Sequence, residues 1–241
     1  MTLLTTVFRM SGASDYRRLH RVWEHSARKV MPDANIVTLD LGSVNGDNQH
    51  KPSITANRRK MDAWAEYFVS CDDDVVLMDC DMIVCRDFNE PFRQYEFDIA
   101  ITKRDMPGAS MPINGGVVMV RNTKAAHEFM QIWRDTDERL YRNKREHERW
   151  RKRYHGMNQA SLGCVFNTEK HEAKIQRLPC SKYNACEKEW ALINKLEPYA
   201  IHCKANLKRS VLSDTPVGKM NPRFHTAARL WRDLEQEALR G

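Results

Sequence analysis

The sequence contains no long hydrophobic run. None of its apolar stretches approaches the 18 or more residues that a membrane-spanning helix requires. The opening residues Met1–Arg9 also lack the basic leader and the small-residue cleavage site of a secretory signal. We therefore expect no transmembrane segment, and we interpret the opening residues as a first β-strand.

Cysteine is present but never in CxxC pairs. Seven cysteines, an odd number, are spread along the chain. This spacing argues against a disulfide framework and against a structural zinc site, and it favours a reducing compartment. We therefore expect a soluble, cytoplasmic protein. The sequence has neither an internal repeat nor a low-complexity linker.

Acidic residues are fewer than basic ones. The chain has 39 Lys and Arg against 32 Asp and Glu, a formal net charge of +7. Charge of this sign suits a polyanionic partner such as nucleic acid, although part of the excess would offset the phosphates of a bound nucleotide. The densely basic segment 142–153 is interpreted either as a solvated helix end or as a surface that grips phosphates.

Strand-like and helix-like segments alternate along the chain. This alternation over 241 residues favours a single α/β domain. The predicted strands are residues 3–8, 35–41, 75–78, 98–102, 117–120, 175–178 and 199–202. The predicted helices are residues 15–30, 55–70, 123–142, 158–165 and 225–239, with a basic loop after residue 204.

Two aspartates form the most informative feature. Asp79 and Asp81 follow the apolar run Val75–Met78 and precede Met82–Val84, which is typical of a buried strand. Side chains two apart on a strand share a face, so we expect both carboxylates to point the same way. Two buried carboxylates repel each other unless a cation or a proton lies between them. A hard divalent cation is the natural partner, and a solvated acidic turn is the alternative.

Three later segments place polar side chains at the ends of predicted elements. Asn114 and two adjacent glycines precede a buried strand, where a ligand can approach the backbone closely. Asn158 and Gln159 begin a predicted helix. His202 ends a strand, and lysines follow it. Together with the acidic pair, these segments indicate one site.

In order and spacing, the four segments resemble the metal-dependent nucleotide-sugar glycosyltransferases of the GT-A fold, particularly the branch of glycogenin and the bacterial galactosyltransferases. Asp79 and Asp81 match the DxD motif of that branch. Asn158 departs from the pattern, since the branch often has aspartate before the glutamine, and the usual glycine does not follow His202.

The resemblance implies a GT-A, Rossmann-like domain over residues 1–210, with a mixed, mostly parallel central sheet flanked by helices. Residues 211–241 would form a C-terminal helical extension packed on the same domain. The protein would be a monomer or a homodimer.

The resemblance also implies a metal site. Asp81 would ligate the metal directly, Asp79 would share it or bind the donor ribose, and His202 would be the other protein ligand. Mn²⁺ suits such a mixed oxygen and nitrogen set, with Mg²⁺ as a substitute. Either Lys204 or Lys208 would bind the donor phosphates, and the spacing does not distinguish them.

The donor, most simply a UDP-sugar, would lie across the carboxyl ends of the first strands. The residues that would contact its nucleoside are Thr5, Thr6, Val7, Asn57 and Lys60. Asp105, Asn114 and Gln159 are the catalytic candidates that would contact the sugar hydroxyls. No carboxylate other than Asp105 suits the role of an inverting base, which together with the resemblance favours retention of the anomeric configuration.

Other functions compete with this interpretation. A haloacid-dehalogenase-type phosphatase also carries a DxD strand, but that motif usually opens its domain. A nucleotide-sugar pyrophosphorylase would need an early glycine-rich nucleotide loop, and a nucleic-acid-binding module would leave the buried acids unexplained.

The acceptor is a hydroxyl, and the charge favours a polyanion: a modified base in DNA or an anionic glycan. A lipopolysaccharide or other cell-surface glycan is the alternative. Trp150 or Tyr154 would stack on a base turned out of a duplex.

Overall fold

The computed structural model describes residues 1–9, 16–46, 50–104 and 112–240. Its strands are β1 (Thr2–Arg9), β2 (Asn35–Ser43), β3 (Val75–Asp79), β4 (Met82–Val84), β5 (Ile99–Lys103), β6 (Ile113–Val120), β7 (Ile175–Pro179) and β8 (Ala200–His202). Its α-helices are α1 (Tyr16–Val30), α2 (Pro52–Val69), α3 (Asn89–Gln94), α4 (Lys124–Arg142), α5 (Lys144–Tyr154), α6 (Asn158–Thr168), α7 (Cys180–Tyr183), α8 (Ile193–Leu196), α9 (Ala205–Leu212) and α10 (His225–Arg240).

Within these described residues, six strands form the central sheet in the order β2-β1-β3-β6-β5-β7. β1 is parallel to β2 and β3, and β5 is parallel to β7. β6 is antiparallel to both of its neighbours, β3 and β5. The predicted mixed, mostly parallel sheet is therefore confirmed. Because every strand except β6 runs the same way, the carboxyl ends of β1, β3, β5 and β7 meet the start of β6 at one edge.

Helices bury apolar side chains on both faces of the sheet. On one face, α2 contributes Met61, Trp64 and Phe68 at the predicted helical spacing, and they pack with Trp133 of α4. On the other face, α1 packs Trp23 against the strands. Full burial of each such side chain contributes roughly 1.5–3 kcal/mol. The rigid core fixes the sheet edge at which polar side chains collect.

A short antiparallel ladder lies beside the main sheet. β4 pairs with β8 so that Met82 faces His202 and Val84 faces Ala200. The ladder brings the segment just after Asp81 against the end of the chain's last strand. Two regions far apart in sequence thereby meet at one point.

The acidic pair does not share one strand, contrary to prediction. β3 ends at Asp79, and Cys80 and Asp81 form a turn before β4 begins. The two carboxylates still converge, because the turn and the β4–β8 ladder hold Asp81 beside the end of β3. The pairing is closed by the Cys203 amide, which donates to the Asp81 carbonyl at 2.8 Å.

The prediction of a basic loop after residue 204 is also wrong. Ala205–Leu212 is the helix α9, which buries Leu207 and Val211 in an apolar cluster. These two residues lie four apart and therefore on one helical face. Packing of that face outweighs the charge of the surrounding lysines and arginine.

The C-terminal helix α10 packs along α1. Trp231 of α10 is buried with Val22 of α1 in the same apolar cluster. Arg18 of α1 forms ion pairs with Glu235 of α10 and, at 2.6 Å, with Asp214. Among the described helices, none is long and apolar enough to cross a membrane.

Candidate metal centre and adjoining cavity

Asp79, Asp81 and His202 form a compact cluster. One ligand atom from each lies within 4.8 Å of the others. His202 Nε2 is 3.2 Å from Asp81 Oδ1 and 3.7 Å from Asp79 Oδ2. The side chains of Asp81 and His202 are buried, whereas that of Asp79 is 26% exposed. Two carboxylates and one imidazole in this arrangement fit a divalent cation of the Mn²⁺ or Mg²⁺ class.

The direction of the imidazole is set by Asn184. His202 Nδ1 is 3.2 Å from Asn184 Oδ1, and Asn184 Nδ2 donates to Thr102 Oγ1 at 3.0 Å. The Thr102 hydroxyl uses its proton to donate to the Asn114 carbonyl, so its oxygen can only accept from Asn184. The atom of Asn184 that faces Thr102 must therefore be the nitrogen Nδ2, and the oxygen Oδ1 faces His202. His202 Nδ1 must therefore carry a proton.

The ring nitrogen that remains, Nε2, faces both carboxylates. In a neutral imidazole with Nδ1–H, Nε2 is an acceptor, as are the carboxylate oxygens of Asp79 and Asp81. Acceptor atoms so close together repel unless a proton or a cation lies between them. An imidazole held through its other nitrogen is the usual arrangement of a histidine that binds a metal.

Gly116 lets β6 approach the imidazole. A Cβ atom at this position would lie 2.7 Å from two ring atoms of His202 and 3.3 Å from Asn184 Nδ2. Any side chain would displace the ring. The second glycine predicted to allow close approach of a ligand thus approaches the histidine instead.

Lysines neutralise the two aspartates. Lys60 Nζ is 2.6 Å from Asp79 Oδ1, and Lys208 Nζ is 3.0 Å from Asp81 Oδ2. Burial alone would raise the pKa of Asp81, but the Lys208 ammonium lowers this pKa well below its usual range. Burial opposes the charge on Lys208, yet Asp81 raises the pKa of Lys208 above its usual value. Asp81 is thus ionised and ready to bind a cation.

The cluster opens into a cavity of about 230 Å³ at the carboxyl ends of β1 and β3. The predicted site residues that line it are Thr6, Asn57, Lys60, Asp79, Asp81, His202, Lys204 and Lys208. Phe8, Tyr16 and Cys80 also line it and were missed. Phe8 shares a strand face with Thr6, so strict alternation along β1 was the signal that would have found it.

Thr5 and Val7 do not line this cavity. Both lie on the opposite face of β1 from Thr6, and both are buried. The Thr5 hydroxyl donates to the Met78 carbonyl at 2.8 Å, which commits it to the sheet. The side chains of Thr5 and Val7 therefore do not face the cavity, and contact of these two residues with a nucleoside stays a prediction for their backbone atoms.

Asn114 and Gln159 are not among the residues that line this cavity. Asn114 is buried, and its Oδ1 accepts from the Gly116 amide at 3.2 Å. Gln159 accepts from the Gly115 amide and donates to the Tyr154 carbonyl at 2.9 Å. Asp105, the third catalytic candidate, lies outside the described residues.

Lys204 and Lys208, which the sequence spacing does not distinguish, contact different carboxylates. Lys204 Nζ is 3.3 Å from Glu187, which also pairs with Arg104 at 3.0 Å. Lys208 reaches from α9 to Asp81 directly. Asn184, which sequence reasoning also missed, lies 18 residues from His202 and belongs to no local pattern.

The six-stranded sheet with two aspartates and a late histidine at its carboxyl edge is the arrangement expected of a nucleotide-sugar glycosyltransferase of the GT-A fold. The chain belongs to the nucleotide-diphospho-sugar transferase family, whose model matches residues 16–211. Membership in this family removes the support for a phosphatase or a simple nucleic-acid-binding module.

Solved structures share the fold. A glycosyltransferase involved in the glycosylation of the major capsid of PBCV-1 superposes with a TM-score of 0.57 at 15% identity, over 88% of this chain and 98% of that one. The galactosyltransferase LgtC, in complex with donor and acceptor sugar analogues, superposes with a TM-score of 0.56 at 12% identity, over 98% of this chain and 96% of that one. The glycosyltransferase GlyE of Streptococcus pneumoniae TIGR4 superposes with a TM-score of 0.52 at 14% identity, over 98% of this chain and 63% of that one. A comparison with curated protein sequences gives no match.

Proposed function

We propose that this protein transfers a sugar from a UDP-sugar to a hydroxyl acceptor with the help of a divalent metal. The observation that carries the proposal is the convergence of Asp79, Asp81 and His202 beside a cavity lined with lysines. A cation between the imidazole nitrogen and the two carboxylates would relieve their repulsion, and the same cation would neutralise charge on a donor diphosphate.

Mn²⁺ is the proposed metal, with Mg²⁺ as a substitute. Asp81 and His202 would hold it, and Asp79 would share it or bind the donor ribose. When bound, the metal supplies Lewis-acid charge that stabilises the leaving diphosphate. Asn184 and Gly116 keep the imidazole in position for this role.

Lys208 is the proposed phosphate-binding lysine. Its ammonium lies in the cavity beside Asp81. When the donor binds, this ammonium would shift from the Asp81 carboxylate to contact the phosphate oxygens. Lys204 is held by Glu187 at the rim, so we assign it the weaker role of attracting the donor. Lys60 would remain with Asp79.

The nucleoside is proposed to lie between Thr6 and Asn57. Phe8 and Tyr16 form an aromatic wall of the same cavity, with ring centroids 4.7 Å apart. An aromatic wall suits the flat face of a base. The choice of uridine rests on the resemblance to the glycogenin branch.

The sugar is proposed to lie toward Asn114 and Gln159, at the start of β6. Asp105 stays a prediction for a sugar hydroxyl. Retention of configuration also stays a proposal, since Asp79 and Asp81 are committed to the metal and neither is free to act as an inverting base.

The acceptor hydroxyl is proposed to belong to a polyanion, either a modified base in DNA or an anionic glycan, and a cell-surface glycan is the alternative. All seven cysteines are unpaired, which supports a reducing, cytoplasmic setting. A monomer or a homodimer is compatible with the proposed reaction.

The test is release of UDP from a panel of UDP-sugars with Mn²⁺ and no acceptor. Asp81→Asn and His202→Ala are expected to lower the rate at least roughly a hundredfold, because each removes a proposed metal ligand. The control is Asp33→Asn, which changes an exposed aspartate remote from the cavity. Full activity in both site variants would refute the proposed metal centre.

A further inference from the structure

A second cavity lies at the outer end of the sheet. It has a volume of about 290 Å³, and its lining includes Lys103 of β5, Arg177 of β7 and Arg153 of α5. Tyr154 and Phe166 supply aromatic surface to the same lining. No residue of the metal cluster lines it, so it is a separate site.

Among the residues that the structure describes, no acidic side chain compensates the positive charge of this second cavity. Its described lining contains three cations and no acidic residue. Within the described chain, none of Lys103, Arg153 and Arg177 forms a salt bridge, whereas Lys60, Lys204 and Lys208 of the first cavity are each paired with a carboxylate. A concave surface with three unpaired cations attracts an anion.

Neighbouring groups position this cationic surface. The Arg153 guanidinium lies 5.5 Å from the centre of the Tyr154 ring, a cation–π contact that limits its freedom. The Tyr154 hydroxyl accepts from Asn167 Nδ2 at 3.0 Å, which leaves its own proton available to donate. Lys103, Arg153 and Arg177 are themselves exposed, so a ligand can reach them.

The two cavities lie along one edge of the sheet. β3 carries Asp79 and β5 carries Lys103 at their carboxyl ends, and only β6 lies between them. Two strand spacings correspond to about 10 Å across the sheet. Gln159 lies between the two sites, since it donates to the carbonyl of Tyr154 in the second cavity and accepts from the amide of Gly115, whose neighbour Gly116 lies against His202.

We propose that this second cavity binds an anionic group of a glycan acceptor, a phosphate or a carboxylate, while the acceptor hydroxyl lies beside the donor sugar. The inference rests on the proposed function and specifies its acceptor. Arg153, Arg177 and Lys103 would then determine specificity by favouring acidic oligosaccharides over neutral ones.

Nucleic acid fits the same cavity less well. Recognition of an unstacked base requires an exposed aromatic face. Tyr154 is only 4% exposed, and Trp150 packs against the apolar clusters of the core. The predicted stacking of a DNA base therefore finds little accessible surface on Tyr154 and only a partly buried ring in Trp150.

The experiment measures binding of four probes by calorimetry in 150 mM NaCl: lactose, sialyllactose, mannose and mannose 6-phosphate. The wild-type protein, loaded with Mn²⁺ and UDP, is expected to bind the better of the two acidic probes at least roughly tenfold more tightly than its neutral counterpart. The double variant Arg153→Gln/Arg177→Gln is expected to lose that preference. The control Arg145→Gln/Lys152→Gln removes the same charge from residues of α5 that do not line the cavity, and it should keep the preference.

Three results would overturn the inference: equal affinity for acidic and neutral probes, loss of preference in both double variants, or tighter binding of a 20-nucleotide DNA that the cavity variant alone abolishes. UDP release from the UDP-sugar without acceptor is measured in parallel. It should be unchanged in the cavity variant, because none of the substituted residues lines the donor cavity. Absence of UDP release from the wild-type protein would refute the proposed function instead.

Discussion

The Asn184 amide orients the His202 imidazole through Nδ1, and Asn184→Ala removes that amide. The imidazole would then be free to rotate or to move its proton to Nε2, so we expect the affinity for Mn²⁺ to fall roughly tenfold to a hundredfold. Titration of the purified protein with Mn²⁺, followed by electron paramagnetic resonance, measures this change. Asn143→Ala is the control, since Asn143 caps α5 and should cost about 1 kcal/mol of stability without affecting Mn²⁺. Equal Mn²⁺ affinity in Asn184→Ala and the wild type would contradict the assigned role.

Two adjacent glycines offer a matched pair of variants. Gly116→Ala places a Cβ atom 2.7 Å from the His202 ring, whereas Gly115→Ala places one 3.4 Å from Gln159 Cγ. We expect Gly116→Ala to destabilise the fold by roughly 1–3 kcal/mol and to weaken Mn²⁺ binding, because the ring must move. Gly115→Ala should change both quantities much less. Chemical denaturation measures the stability of the two variants, and titration with Mn²⁺ measures their metal affinity. Equal values for both variants would contradict the close approach of Gly116 to the His202 ring.

The same residues show how far sequence reasoning reaches. Asp79, Asp81 and His202 were found because each belongs to a local pattern, an apolar run followed by polar residues. Asn184 has no such pattern, since its function comes from a contact made only in the folded chain. Thr5 follows from analogy alone, and strand alternation, which the sequence shows, places its side chain on the opposite face of β1 from Thr6.

At the scale of elements, α1 and α10 are joined by an ion pair in a partly buried setting. Arg18 contacts Glu235, whose side chain is 10% exposed, and it also pairs with Asp214. Removal of the cation in Arg18→Met would leave Glu235 without its partner, and we expect a loss of about 2 kcal/mol, below the value for fully buried pairs. Lys29→Met is the control, because its pair with Glu237 is exposed and should contribute less than about 1 kcal/mol. Urea denaturation of both variants measures the difference, and equal losses would contradict the argument.

The long elements were predictable, whereas the short ones were predicted unevenly, since β8 lies within the predicted strand 199–202 and β4 was not predicted as a separate strand. β3 and α2 follow from apolar periodicity over five or more residues. β4 and β8 have three residues each and exist because they pair with each other. β4 was missed, although the position of His202 beside Asp81 depends on that pairing. The helix α9 was missed because its charges hide the Leu207–Val211 spacing.

At the scale of the whole molecule, positive charge is unevenly compensated. The lysines of the donor cavity are paired with acids, whereas α5 carries an excess of arginine and lysine over its two glutamates. Most of the basic segment 142–153 belongs to α5, and the end of this helix lines the second cavity. The net charge of +7 is therefore more consistent with the proposed recognition of an anionic acceptor than with a role at the proposed donor site.

Stability of the whole protein is expected to depend on pH through Asp137. This carboxyl group is fully buried against Ser161 and Arg58, and burial raises its pKa to about 7, although the Ser161 hydroxyl and Arg58 act in the opposite direction. In the unfolded chain the pKa is about 3.9. The native protein therefore keeps a proton that the unfolded chain releases between these values. The resulting stability is complete below about pH 4 and is lost as the pH rises through 7.

Asp137→Asn fixes this group in a neutral form and should remove that loss. Between pH 5 and pH 8 the free energy of unfolding of the wild type should fall relative to the variant by on the order of 2 kcal/mol. Asp81, whose pKa is lowered, affects stability only in the acid range below about pH 4, so the two windows do not overlap. Urea denaturation at several pH values measures the difference, with exposed Asp135→Asn on the same helix as the control. Parallel profiles for the wild type and Asp137→Asn would show that Asp137 is ionised in the native protein, with Arg58 as its partner.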